Sequence, residues 1–217
     1  MDSSKVKKQR KNKRYSLIIC MGIFLLFLGT LYFIYNYCQN RKQEIQENQM
    51  IEEFFEITNE DTEEIIIEEN DKDQEIVIQK ETVNYMAILE IPKINLKRGL
   101  FDKNSSNNNV DKNIYILNET TLPDEQINSH IILAAHSGNS YISFFRNLKK
   151  LDMKDKVYFY YKGVRYSYEV SNKYEIEKTG TTELKQTNTS DITLITCISG
   201  TNKQVVYVAT LIDKQNY

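Results

Sequence analysis

The sequence predicts a mostly β protein: a closed, largely antiparallel barrel of seven or eight strands with one or two short helices, carried behind a single N-terminal transmembrane helix. Three observations predict it. An uncharged run stands near the N-terminus, an acidic run without Gly or Pro follows it, and from residue 82 onward short β-like segments alternate with polar turns. A chain of 217 residues accommodates one such domain with an appendage.

The appendage comes first. Residues 1–14 hold seven Lys or Arg against a single acid, Asp2. From Tyr15 to Gln39 there is no charged residue, and ~20 apolar residues rising ~1.5 Å each span a bilayer core of ~30 Å. Basic residues before the run and acids after it predict a cytoplasmic N-terminus and an extracellular C-terminus. A cleaved signal peptide would have a shorter apolar region, ~7–15 residues, ending in small residues. Here the run ends in the bulky "YFIYNYCQN", and the residues before Cys38 are Asn36 and Tyr37, not the small ones of a lipoprotein site. The expected organisation is a basic cytoplasmic head (1–14), an uncleaved anchor (15–39), an acidic extracellular stalk (40–81) and a β-rich domain (82–217). The protein is then a single-pass protein of the cell membrane, with the membrane as a partner through its N-terminal helix.

Charge also excludes a partner class. The net charge of -2 conceals the basic head, 15 acids against four bases in residues 41–81, and 17 bases against 14 acids in the remainder. The basic cluster directly precedes an apolar run and lies on no folded domain, so no nucleic-acid partner is expected. In the stalk, Met50, Ile51, Phe54, Phe55 and Ile57 recur at helical spacing, which predicts a helix in its first part. The acid blocks beyond predict extended or disordered chain, serving as a spacer.

The strands follow in order. "MAILEIP" and "INLKRGLF" flank a proline; "NIYIL" and "HIILAAH" come next, separated by polar stretches. "KVYFYYKGVRYSYEV" alternates aromatics around Lys162-Gly163, a hairpin signal. "NKYEIEK", "DITLITC" and "QVVYVATLI" complete seven or eight strands, with a helical turn or two expected in "SYISFFRNLKKL" (140–151). A closed barrel leaves no exposed sheet edge. No Gly-rich phosphate loop is present, and two His and three Cys offer no metal-ligand spacing, so neither cofactor nor metal is expected.

One thiol remains to be explained. Cys20 lies within the apolar run and Cys38 at its outer edge, leaving Cys197 as the only cysteine of the exported domain. A free Cys at a strand end is often a small buried hydrophobe; a lone thiol outside the cell is also a candidate nucleophile. The domain's histidines are His130, at the start of a strand, and His136, in "IILAAHSGNSYISFF", where an apolar strand opens into a Ser-Gly-Asn turn. A Cys and a His at strand ends can form a nucleophile and acid–base pair though distant in sequence.

At these residues the chain resembles a family. "TLITC" (193–197), the strand–His–loop "ILAAHSGNSYISFFRNLKKLDMKDKVYFYYKGVRYSYEV" and the "IPKI" element in "AILEIPKINLKRGLF" resemble the sortases, membrane-anchored cysteine transpeptidases of Gram-positive bacteria, over about residues 85–213. The resemblance implies the sortase-type eight-stranded barrel. It also implies Cys197 as the nucleophile that attacks a sorting-signal peptide near the C-terminus of a secreted protein. His136 would be the acid–base residue, and the acceptor an amine of a peptidoglycan precursor or a pilin lysine. One departure stands out: the family's Arg on the following strand aligns with Gln204, beside Lys203, and residues 198–217 contain no Arg. Gln204 is then the expected donor to the substrate carbonyl, unless Lys203, Arg98, Arg146 or Arg165 supplies it. Two further readings stay open: a secreted, membrane-anchored cysteine peptidase that hydrolyses, and a non-catalytic surface-binding module.

Overall fold

Two compact units make up the chain, Met1–Gln46 and Glu47–Tyr217. The computed structural model describes residues 3–59, 85–179 and 188–217. The first unit consists of the opening part of helix α1 (Ser3–Asn59). From Cys20 to Gln39 each of its side chains is exposed, and the helix is long and apolar enough to cross a membrane. So long a stripe of uncovered Leu, Ile and Phe is compatible with a membrane anchor.

The second unit is a single sheet of eight strands: β1 (Ala87–Ile91), β2 (Leu96–Leu100), β3 (Tyr115–Ile116), β4 (His130–Ala134), β5 (Lys156–Tyr161), β6 (Val164–Glu177), β7 (Asp191–Cys197) and β8 (Lys203–Asn216). Their order is β2-β1-β5-β6-β8-β7-β4-β3. Every neighbouring pair is antiparallel except β4 and β7, which run parallel. The sheet curls into a nearly closed barrel. Alternation drives this: Val157, Phe159 and Tyr161 of β5 point inward, and Tyr168, Leu194 and Tyr207 join them in one core. The predicted hairpin forms, with Lys162 (φ 47°) and Gly163 (φ 73°) both left-handed, the backbone that a two-residue turn between twisted strands requires. The 14-residue strands β6 and β8 bend around the barrel through register shifts at Ser167/Tyr168 and Val170/Asn172.

Side chains seal the gap between the two edge strands. On β2, the Gly99 carbonyl accepts a hydrogen bond from the Asn113 side-chain amide (2.7 Å), and the Gly99 N–H donates to Glu47 (3.0 Å). A Cβ at Gly99 would run into the ring of Tyr85, so no larger residue fits without displacing it. Glu47 belongs to the last part of α1, which packs on the sheet. Ile51 is buried with Tyr85 and Ile88, and Phe55 stands edge-on to Tyr160 (5.1 Å) and Tyr217 (5.2 Å). Burying one Ile contributes ~1.5–3 kcal/mol, enough to hold a short arm in place. Part of the segment expected as a plain spacer is therefore a packed element. The expected extended stretch at 60–81 lies outside the described residues.

The turn or two of helix expected at 140–151 reduces to a 3-10 turn at Leu148–Lys150 preceded by tight turns. A second 3-10 turn, Pro92–Ile94, joins β1 to β2. The cause at 140–151 is local competition. The Phe145 N–H donates to the His136 carbonyl (3.0 Å), and Leu148 N–H reaches only three residues back, to Phe145 (3.0 Å). Arg146 meanwhile donates to the carbonyls of Gly138 (3.1 Å) and Ser140. An α-helical ladder would need those backbone groups.

Candidate active site

The parallel pairing of β4 with β7 brings the two candidate residues together. Ala134 is level with Ile195, and the Ala135 N–H continues the ladder to the Ile195 carbonyl (3.3 Å). Counting on by two places His136 level with Cys197. Two hydroxyls hold the strand ends in this register: Thr196 Oγ1 donates to the Ala135 carbonyl (2.7 Å), and Ser137 Oγ donates to the Cys197 carbonyl.

Alternation then assigns the faces. Ile132, Ile195 and Val206 form a second apolar cluster on the outer side of the sheet, with Ala134, Tyr174, Ile176 and Val208 against it. Cys197 follows Ile195 by two, His136 follows Ala134 by two, and Gln204 precedes Val206 by two, so all three share that face. Gln204 is the direct partner of Cys197 across the β7–β8 ladder and of Ile176 on its other side. The result is a half-buried thiol at the end of an apolar strip, flanked by an imidazole and a primary amide.

The His136 Nε2 lies 3.0 Å from Asp111 Oδ1. An ionised carboxylate only accepts, so facing it Nε2 is the donor and Nδ1 lies outside that contact. His130 is placed differently. Its Nε2 meets Thr193 Oγ1 at 2.8 Å, four residues before Cys197 and thus ~13 Å back along the strand. Burial pushes the His130 imidazole below its ordinary value, only partly opposed by the Asp191 carboxylate.

The basic candidates divide clearly. Lys203 Nζ sits 3.3 Å from Glu175 on the face opposite Gln204. Arg98 is bound by Glu47 (2.7 Å) and Asn113 (2.8 Å). Arg165 bonds Gln215 near the β5–β6 hairpin, more than ~30 Å along β6 from Ile176. Arg146 stands in the loop that leaves His136, with its guanidinium on two carbonyls of that loop.

Sequence reasoning missed Asp111, Ser137 and Thr196. Asp111 lay in a polar run read as linker; the Asn109 side chain that accepts its N–H (2.8 Å) was the available turn signal. Ser137 and Thr196 adjoin the two candidates, and only the parallel pairing shows what their hydroxyls bridge.

The fold is thus a nearly closed, mostly β barrel preceded by one long apolar helix, with Cys197 and His136 at the ends of the paired strands β7 and β4. The sortase domain profile matches residues 89–212, and the chain belongs to the sortase family, whose members are cysteine transpeptidases. Among solved structures it is similar to a sortase D5 transpeptidase of Clostridium perfringens, with 24% identity over 77% of this chain and 98% of that one, TM-score 0.56. It is also similar to sortase A of Listeria monocytogenes, with 21% identity over 61% and 90% and a TM-score of 0.52. Sortase C of Streptococcus pneumoniae gives 21% over 61% and 72%, TM-score 0.52. These likenesses support the shared fold and span several sortase classes without selecting one. Among curated proteins none matches the sequence.

Proposed function

We propose that this chain is a membrane-anchored transpeptidase in which Cys197 is the nucleophile, His136 the acid–base residue and Gln204 a donor to the substrate carbonyl. The observation that carries the proposal is the shared outer face of Cys197, His136 and Gln204 at the ends of β7, β4 and β8. Sγ of Cys197, as thiolate, attacks the scissile carbonyl of a sorting-signal peptide, and the carbonyl oxygen takes up the negative charge. The Gln204 amide donates a hydrogen bond to that oxygen, without the charge an Arg would bring. As the C–N bond breaks, His136 gives its proton to the leaving amine, and a thioester remains on Cys197. An amine of a peptidoglycan precursor or a pilin lysine then attacks, His136 takes its proton, and the thiolate leaves. One base serving both halves splits a hard amide exchange into two easier steps.

The apolar strip of Ile195, Val206, Tyr174 and Ile176 beside the thiol suits an extended peptide with apolar side chains. The uncovered apolar helix supports anchorage in the cell membrane, with residues 1–14 inside and the domain from 82 onward outside, held on residues 40–81. An enzyme so anchored meets substrates still held in the same membrane, which raises their effective concentration.

The test is incubation of the purified full chain in detergent with a peptide library and an amine, the products being read by mass. Transfer of a peptide fragment to the amine, lost in Cys197→Ala, is expected. Hydrolysis alone in the presence of amine would instead mark a peptidase, and no cleavage at all would leave only a binding module.

A further inference from the structure

We infer that Asp111 is a positioning residue for His136, and that the end of α1 holds it there through Glu47 and Arg98. This rests on the assignment of His136 as the acid–base residue. The pair itself is exposed, with 40% of the His136 side chain and 76% of that of Asp111 open to solvent. Such a pair contributes only ~0–1 kcal/mol on its own. It keeps a 3.0 Å contact only if the two backbones that carry it are held by something else.

Arg98 is what holds them. On one side its Nε donates to Asn113 Oδ1 (2.8 Å), and buried Asn113 closes the turn that bears Asp111, through Asn113 N–H to the Asn109 carbonyl (2.7 Å). On the other side the Arg98 guanidinium lies 4.2 Å from the ring centre of Phe144. The next residue, Phe145, donates its N–H to the His136 carbonyl. One side chain thus touches both the Asp111 turn and the His136 loop.

Arg98 is fixed in turn from α1. Its Nη1 lies 2.7 Å from Glu47 Oε2, and the Glu47 side chain is only 11% exposed. The same carboxylate accepts from the Gly99 N–H (3.0 Å) and the Tyr85 hydroxyl (2.8 Å). A carboxylate so buried with three donors is a structural anchor, unlike the solvated acids around it. The chain of contacts runs Glu47, Arg98, Asn113, the Asp111 turn, His136. Its chemical outcome is a fixed ring with the hydrogen on Nε2, the role a third group has in orienting a general base.

The experiment uses the full chain in detergent, the peptide selected in the library assay, and hydroxylamine as acceptor. Asp111→Asn should lower kcat about tenfold while KM stays within about twofold, and Asp111→Glu, which keeps the carboxylate, should recover most of the loss. Glu47→Gln should lower kcat about threefold. The double variant should be no slower than Asp111→Asn alone, because both act through one contact. Tyr85→Phe removes a bond from the α1 anchor but leaves Arg98 held, and should keep full kcat. Unchanged kcat in Asp111→Asn, or multiplicative losses in the double variant, overturns the inference while the transpeptidase stands. Should the unmodified chain transfer nothing, like Cys197→Ala, the functional reading falls and this inference with it.

Discussion

Cys197 and Gln204 face each other across the β7–β8 ladder, while Lys203, one residue earlier, turns to Glu175 on the other side of the sheet. Of the two neighbours that the sequence offered for one role, this pairing puts only Gln204 on the face of the thiol. A strand cannot present consecutive side chains to the same face. The amide, not the ammonium, borders the thiol.

Variants of this pair test that assignment. Removing one donor to a developing oxyanion typically costs ~10²–10³ in rate, so Gln204→Ala should lose that much kcat/KM. Lys203→Ala should cost little, since its exposed ion pair with Glu175 contributes at most ~1 kcal/mol to stability. Gln204→Arg should retain or raise activity. A crippled Lys203→Ala beside a near-normal Gln204→Ala would refute the assignment.

The two histidines should separate completely. His136→Ala is expected to abolish acyl transfer, whereas His130→Ala should keep most of it, because the His130 ring is bonded to Thr193. Comparable loss in both would move the acid–base role away from His136.

His130 should instead be visible in the pH dependence of stability. Burial lowers its folded-state value below the ordinary 6.5, so the unfolded chain takes up the proton first. Stability is then full above ~6.5 and falls as the pH drops through the folded value. Thermal midpoints measured between pH 8 and pH 5 should decline, and His130→Asn should flatten that decline. An identical slope in the variant would assign the acid loss to other groups.

How much of this was legible beforehand depends on the range of the interaction. Period-2 alternation in "KVYFYYKGVRYSYEV" and the Lys162-Gly163 turn are local, and both formed as read. The Cys197–His136 proximity was recognisable from motif resemblance. Its cause, the parallel pairing of strands 61 residues apart in sequence, carries no local signal. Asp111 and Glu47 were hidden for a different reason. Each lies in a polar run whose composition suits solvent, and only the fold shows which carboxylate of the run has a partner, buried for Glu47 and exposed for Asp111. The helical turn or two expected at 140–151 formed only as the 3-10 turn at Leu148–Lys150, because Phe145 and Arg146 bond back to the His136 loop.

Gly99 gives a test of the barrel's seam. Gly99→Ala puts a methyl group into the Tyr85 ring, and overpacking of this kind costs ~1–3 kcal/mol. The thermal midpoint should fall, and the loosened Tyr85 should exchange its neighbouring amides faster. An unchanged midpoint would mean that the ring moves aside freely.

The central claim is that Cys197 carries the acyl group. Intact-mass measurement of the full chain, incubated with its substrate peptide and no amine, tests it most directly. The predicted result is a covalent adduct equal in mass to the N-terminal peptide fragment, mapped to the segment containing Cys197, absent in Cys197→Ala and discharged by hydroxylamine. Peptide cleavage that persists in Cys197→Ala, or an adduct mapped to any other residue, would contradict it.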